Sequence, residues 1–389
     1  MSILLIEKKD ADTRAALICR ERLYAYQSDT HADGLREEQV LLGTVDRNAK
    51  GISGAFVRLP QKEYGFLPFS AGEKSLPSGS RVLVQVKRPP SQSKKALLSR
   101  DIALPGVFAV YLPQSSGLRV SNRCSAEEKA SLREIGKRLH LKDGGVILRS
   151  EALNAPEEQI AAELQALRAR WQFILAQSAG KSEPCLLWGG ESAVGKLLRE
   201  EAGRLEYILT NDPAAVPADC AAPVRLSEHP FMLWNVERKL ETSLRRTVRM
   251  KSGADLVVDR CEAMTVIDVN SAMAAGGRSI GDTAVKINRE AVWEVARLMR
   301  LRSMGGMILV DLIDMETDGD REALLREMRA ALAEDPVKTT VHDITTLGIM
   351  EITRHRTQEP LAALTDIPCP HCGGTGLFIQ FQEEDAADA

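Results

Sequence analysis

Two carboxylates lie inside apolar runs: Asp268 in "MTVIDVN" and Asp311 in "GGMILVDLIDM". Burying an isolated carboxylate is costly, so each needs a metal, a cation or several hydrogen bonds. On neighbouring strands the two would converge, and like charges that close repel unless a cation sits between them. Hard oxygen ligands that leave room for water and phosphate suit Mg²⁺. Asn270, two residues after Asp268, can add an oxygen ligand or orient one. The competing chemistry is that each Asp caps a turn or pairs with an arginine. Spacing alone leaves both open.

A second set of metal-type residues closes the chain, in "DIPCPHCGGTG" at 366–376. Cys369 and Cys372 have zinc-ligand spacing, but a structural zinc site takes four ligands. Three completions stay open: the same pair from a second copy across a two-fold axis, ligation by His371, or a redox dithiol.

The elements that must position these residues follow from pattern. The strand 264–270, the helix 281–302 and the strand 305–315 read as a βαβ unit, whose two strands lie parallel in one sheet. Ala284, Ile287, Ala291, Val295 and Leu298 mark the helix's core side. Short strands punctuated by turn residues between 39 and 86 predict a small antiparallel barrel. Residues 1–30 read as strands. Two helices follow the barrel, the second with Ile160, Leu164, Leu167, Trp171 and Ile174 on one face and Asn154 as its N-cap. Residues 211–230 read as a connection, and 231–250 as one amphipathic helix with a basic face.

At 389 residues the chain suits two to four domains. Hydrophobic residues at 44% and charged ones at 27% exclude a disordered polymer. No apolar run approaches the ~20 residues that span a bilayer, and the opening "MSILLIEKKD" lacks the form of a secretory signal. Seven cysteines, mostly scattered, predict free thiols and a cytoplasmic location. The net charge of −3 hides basic segments: 45–100 holds eleven Lys/Arg against three Asp/Glu, and 237–251 six against two. Such segments point to a polyanionic partner. The last residues, "EEDAADA", read as an acidic tail.

"AMTVIDVNSA", with "ETSLRRTVRM" before it and "EVARLMRLRSMGGMILVDLIDM" after it, resembles the catalytic region of the ribonuclease E/G family. The likeness continues through "ITTLGIMEITRHR" and ends in the family's Cys-Pro-x-Cys-x-Gly-x-Gly element. It implies that Asp268 and Asp311 hold Mg²⁺, that Asn270 places the attacking water, and that Arg354 and Arg356 face RNA. "GAFVRLPQKEYGFLP" resembles the family's S1-type barrel, which puts Phe56 and Phe66 in a base-stacking pocket, with Lys94 and Arg88 as basic RNA contacts. "VILRSEAL" resembles its 5′-monophosphate sensor: Arg149 and Ser150 would hold the phosphate, and Val120 would lie against the terminal nucleotide. Cys369 and Cys372 would form a zinc link shared between two protomers. Met273 and Ser91 depart from the family, standing where Lys or Arg is usual, and the chain stops before the family's small C-terminal domain.

The expected architecture is therefore α/β and multidomain. An RNase H-like portion (1–33 and 185–243) is interrupted by an S1-type OB barrel (34–108) and a 5′-sensor region (109–184). A DNase I-like catalytic region (244–365), the zinc link (366–376) and the tail (377–389) follow. The expected function is Mg²⁺-dependent endonucleolytic cleavage of single-stranded RNA in processing or decay, favouring 5′-monophosphorylated ends. The expected form is a homodimer with structural Zn²⁺ and no membrane span. Two alternatives remain: a catalytically weakened RNA-binding scaffold, and a metal-dependent nuclease of another substrate.

Overall fold

A computed structural model describes residues 2–361 apart from 11, 30–33, 50, 71–74, 91–93, 123, 140–142, 218–219, 272–279, 316 and 357–360. It is a mixed α/β structure built on four sheets. The zinc-link motif with Cys369, Cys372 and His371, the tail, Ser91 and Met273 lie outside the described residues.

The first sheet joins distant parts of the chain. Ser2–Lys9, Asp12–Cys19 and Arg22–Ser28 form an antiparallel meander. Leu205–Thr210 then pairs in parallel with Ser2–Lys9, and Val224–Leu226 adds beyond it. The barrel and the next region interrupt this sheet, and neither breaks its ladder.

Five strands close the barrel: Val40–Asn48, Gly54–Arg58, Tyr64–Pro68, Arg81–Arg88 and Ala96–Ser99. Pairing of Val40–Thr44 with Arg81–Gln85 completes the circle, as in an S1-like OB fold. Gly65 is required here, because a Cβ would stand 2.5 Å from Leu98. Two boundaries differ from expectation. Cys185–Trp188 pairs with Val40–Leu42, so it extends the barrel sheet rather than opening the second RNase H-like segment. Leu104–Pro105 pairs with Val110–Tyr111, so it belongs to the sheet after the barrel.

That next sheet orders Gly117–Val120, Gly145–Leu148, Ala109–Leu112 and Leu104–Pro105. Helix Ala126–Arg138 starts at a Ser125–Glu128 capping box. Helix Glu157–Ser178 buries all five expected core residues, Ile160 to Ile174. Its N-cap is Pro156 and not Asn154, which lies in the preceding 3₁₀ turn.

The last sheet runs Thr247–Arg249, Asp255–Arg260, Met264–Asn270, Gly306–Asp311, Ile349–Arg354, Thr339–Ile344. Met264–Asn270 and Gly306–Asp311 are parallel neighbours, and helix Ile280–Leu301 crosses between them as expected. Ala284, Ile287, Ala291, Val295 and Leu298 are all buried, the last four in the core against the sheet. The single helix expected over 231–250 is broken. Asn235, left-handed at φ 49°, separates Pro230–Leu233 from Val236–Leu244. Thr247–Arg249 leaves the helix to become an edge strand, where Thr and Val are favoured.

The crossover helix packs on two sides. Its far side meets the N-terminal meander through charge: Glu294 accepts from Arg22 at 2.8 Å and from Arg297 at 2.7 and 3.0 Å. Arg297 also donates to the Leu23 carbonyl at 2.6 Å. Both Glu294 and Arg297 are buried. Removing one partner of a buried pair strands the other charge. Glu294→Ala is therefore expected to lower unfolding free energy by about 3–5 kcal/mol, measured by chemical denaturation against Glu290→Ala on the same helix.

Candidate active site and nucleic-acid interface

Side chains alternate along a strand, so burial separates the two faces of the last sheet. Ile267 and Val269 point into the helical core, as do Ile308 and Val310. Asp268 and Asp311 therefore project from the opposite, uncovered face. Their strands are in register at this row, with Asp268 directly beside Asp311. Adjacent strands lie about 4.8 Å apart, which brings two carboxylates within reach of one cation. Asp268 is half-buried and Asp311 exposed. Asn270 Nδ2 donates to Asp268 Oδ2 at 2.7 Å. The three expected catalytic residues thus share one strand end. Neither Asp caps a helix, and no arginine bonds to either among the described contacts.

The backbone after Asp311 is held from the core side. Asn288, fully buried on the crossover helix, donates to the Ile313 carbonyl at 2.7 Å and accepts from the Ile313 N–H at 3.0 Å. The Leu312 N–H reaches the Gly348 carbonyl at 3.3 Å. One buried amide on the connecting helix thereby fixes the turn that follows the second carboxylate. Sequence reasoning missed it, because an Asn on an apolar helix face has no local signature.

On the barrel, Phe56 and Phe66 are cross-strand partners with ring centroids 5.7 Å apart at 59°. Their neighbours Ala55, Val57 and Leu67 fill the barrel core, so the rings stand on its outer face. Arg47 lies 5.5 Å over the Phe56 ring, a cation–π contact that the sequence did not reveal. Arg88 and Lys94 are exposed and flank the connection between the last two barrel strands. In the adjoining sheet, Val120 pairs with Leu148, the residue before Arg149, so Val120, Arg149 and Ser150 lie together. Arg149 Nη1 donates to the Gly106 carbonyl at 3.0 Å, and Ser150 Oγ to Glu151 at 3.1 Å.

Two expected RNA contacts are placed differently. Arg354 does not face a ligand: it is buried and bonded to Asp335 at 2.8 and 3.0 Å and to the Met304 carbonyl at 2.7 Å. Met350 and Ile352 point into the core, and period-2 alternation sends Arg354 the same way. Arg356 is exposed, but its guanidinium lies over Gly306, at the start of the strand that ends in Asp311. Five residues of strand put it about 17 Å from the acidic pair.

Register-paired carboxylates on one sheet, and a closed barrel with half-buried aromatics on its outer face and exposed basic residues at one connection, fit a nuclease. The chain belongs to the ribonuclease E/G family, whose sequence profile matches residues 103–357. It is 30% identical over 408 aligned residues to ribonuclease G of Escherichia coli K12, covering 96% of this chain and 83% of that one. Ribonuclease G of Salmonella typhimurium is 29% identical over the same spans. Ribonuclease E of Synechocystis is 30% identical over 379 residues, covering 89% of this chain and 56% of its own length. No helix among the described residues is long and apolar enough to cross a membrane.

Arg354→Ala is expected to cost about 3–5 kcal/mol by leaving Asp335 buried and unpaired. Its RNA affinity should keep the parent's salt dependence, since no phosphate contact is lost. Thermal unfolding and a salt titration of RNA binding check both parts.

Proposed function

We propose that this chain is a Mg²⁺-dependent endoribonuclease that cuts single-stranded RNA in RNA processing and favours 5′-monophosphorylated ends. One observation carries the catalytic assignment: Asp268 and Asp311 are register partners on parallel strands, with Asn270 bonded to Asp268. The donor set fits the ion, being hard carboxylate oxygens from an exposed Asp311 and a half-buried Asp268. Asp268 and Asp311 would hold it. Bound there, Mg²⁺ supplies charge stabilisation and a more acidic water.

The residues themselves divide the remaining work. Asn270 fixes the Asp268 carboxylate through its Nδ2, and its carbonyl oxygen can accept a hydrogen bond from the attacking water. Attack by water leaves 5′-phosphate and 3′-hydroxyl ends. Phe56 and Phe66 offer a stacking platform that any base can use. Arg88 and Lys94 face the backbone phosphates, and Arg356 extends the basic surface away from the cut. Arg149 and Ser150 take the 5′-phosphate by guanidinium and hydroxyl donation, with Val120 against the terminal nucleotide. Cys369 and Cys372, paired with the same residues of a second copy, would complete a Cys₄ zinc site and link a dimer. We place the enzyme in the cytoplasm on the strength of its scattered cysteines.

The deciding experiment compares a short AU-rich single-stranded RNA with its DNA counterpart, in Mg²⁺ and in EDTA. RNA cleavage should require Mg²⁺, and Asp268→Asn or Asp311→Asn should lower kcat by about 10³-fold or more. RNA binding without cleavage would establish the scaffold reading, and equal cleavage of DNA a different nuclease. Phe66→Ala should weaken binding of the same RNA by about 1–3 kcal/mol, roughly 5- to 150-fold, read by fluorescence anisotropy with a catalytically inactive Asp268→Asn background.

A further inference from the structure

Glu163 is a carboxylate that the proposed reaction does not use, yet it is among the most heavily bonded groups in the chain. It sits on helix Glu157–Ser178 and points back at the sheet. Three consecutive backbone N–H groups converge on it: Val107 at 2.6 Å, Phe108 at 2.9 Å and Ala109 at 3.0 Å. Such convergence is an anion-binding nest, here filled by the protein's own carboxylate. Gly106 lies against the same group, and a Cβ there would stand 2.5 Å from the carboxyl carbon and from one of its oxygens. The nest therefore has room for the carboxylate only because residue 106 is glycine.

The carbonyls of this segment face a different partner. Phe108 accepts from the Arg149 backbone N–H at 2.8 Å, and Gly106 accepts from Arg149 Nη1 at 3.0 Å. Residues 107–109 thus give their N–H groups to Glu163, while the carbonyls of Gly106 and Phe108 go to Arg149, one to its guanidinium and one to its backbone. The Glu163 charge also attracts Arg149 directly. Burial raises the Glu163 carboxyl pKa, and the three N–H bonds oppose that shift by favouring the anion.

We infer that Glu163, seated in the 107–109 nest against Gly106, is a positioning residue that presets Arg149 for a terminal phosphate. The inference rests on the reading of Arg149 and Ser150 as the 5′-phosphate contacts. A guanidinium already fixed at one corner loses less freedom when it grips an anion, so the benefit of the nest is realised only when that anion is present. Charge-assisted bonds hold the segment more firmly than neutral ones would. A neutral amide at 163 could still accept one or two of the N–H bonds, without the charge.

The test uses the full chain and one RNA sequence made with a 5′-monophosphate or a 5′-hydroxyl, and reads the ratio of the two kcat/KM values. A wild-type ratio well above 1 establishes the 5′-end reading; a ratio of 1 removes that reading and this inference with it. Given a wild-type preference, Glu163→Ala should reduce the ratio roughly tenfold or bring it to 1, with Glu163→Gln between the two. Formate, offered to Glu163→Ala as a replacement carboxylate for the nest, should restore part of the ratio. Gly106→Ala, which drives a methyl into the carboxylate, should lower the ratio independently. A general loss of folding lowers both rates together and leaves the ratio unchanged. If Glu163→Ala or, should it fail to fold, Glu163→Gln and Gly106→Ala keep the wild-type ratio, Glu163 is structural only. The inference then fails while the 5′-end reading stands.

Discussion

Two carboxylates on adjacent strands can meet only if those strands are in register, here as parallel neighbours, and much of the region around the last sheet follows from that constraint. Parallel neighbours cannot be joined by a tight turn, so the chain must leave the sheet and return through a crossover. Helix Ile280–Leu301 is that crossover. Its apolar stripe, from Ile287 to Leu298, covers the sheet face that Ile267, Val269, Ile308 and Val310 present. Burying those residues on one face turns Asp268 and Asp311 to the other. A slip of one residue would send both carboxylates into the apolar core, at a cost that no partner there could offset. The register that hides the apolar side chains is thus the same one that exposes the acids.

The helix is also a shared wall. On its far side the contacts with the N-terminal meander and its neighbours are largely ionic: Glu294 with Arg22 and Arg297, Arg300 with Glu201 at 2.7 Å, and Arg302 with the Ser243 and Arg245 carbonyls. Apolar packing tolerates sliding, whereas bidentate Arg–carboxylate pairs have one geometry. A buried ionic layer contributes less net stability than an apolar layer of the same volume. What it adds here is a defined orientation between the first sheet and the helix that carries Asn288.

Much of this was legible in the sequence where the signal was local. The two apolar runs, the helix between them and the five buried residues of helix Glu157–Ser178 follow from periods of two and 3.6. The pairing of Phe56 with Phe66 came through resemblance, and the alternation of Ala55, Val57 and Leu67 shows why the rings face outward. Legibility failed where a partner was distant or a side chain served the core. Nothing near Ser2 announces that Leu205–Thr210 will lie beside it. Likewise, no pattern around Cys185 says that it will extend a barrel completed almost a hundred residues earlier. Arg354 was misread because the resemblance assigned it to RNA, although the alternation with Met350 and Ile352 already placed it inside. Glu163 escaped because a Glu on a helix surface is ordinary until its three N–H partners are known.

The barrel and the sheet that follows it share more than a linker. Val40 and Leu42 of the barrel belong to the same core as Leu104, Ala109 and Val146. Gln85, buried in the barrel wall, donates to the Ala103 carbonyl at 2.8 Å and accepts from the Ala103 N–H at 2.9 Å. Trp188, on the strand added to the barrel, lies 5.5 Å beneath Arg170 of helix Glu157–Ser178, the helix that also carries Glu163. The aromatic pair and Arg149, the two proposed binding groups, consequently sit on one continuous body. When two weak contacts are held at a fixed separation, engaging the first raises the effective concentration of the second, provided the ligand can span them. A flexible single strand can meet that condition by adjusting its path, whereas a stiff duplex cannot. The proposed preference for single-stranded RNA then needs no contact that reads strandedness. It would follow from the rigidity of the protein and the compliance of the ligand.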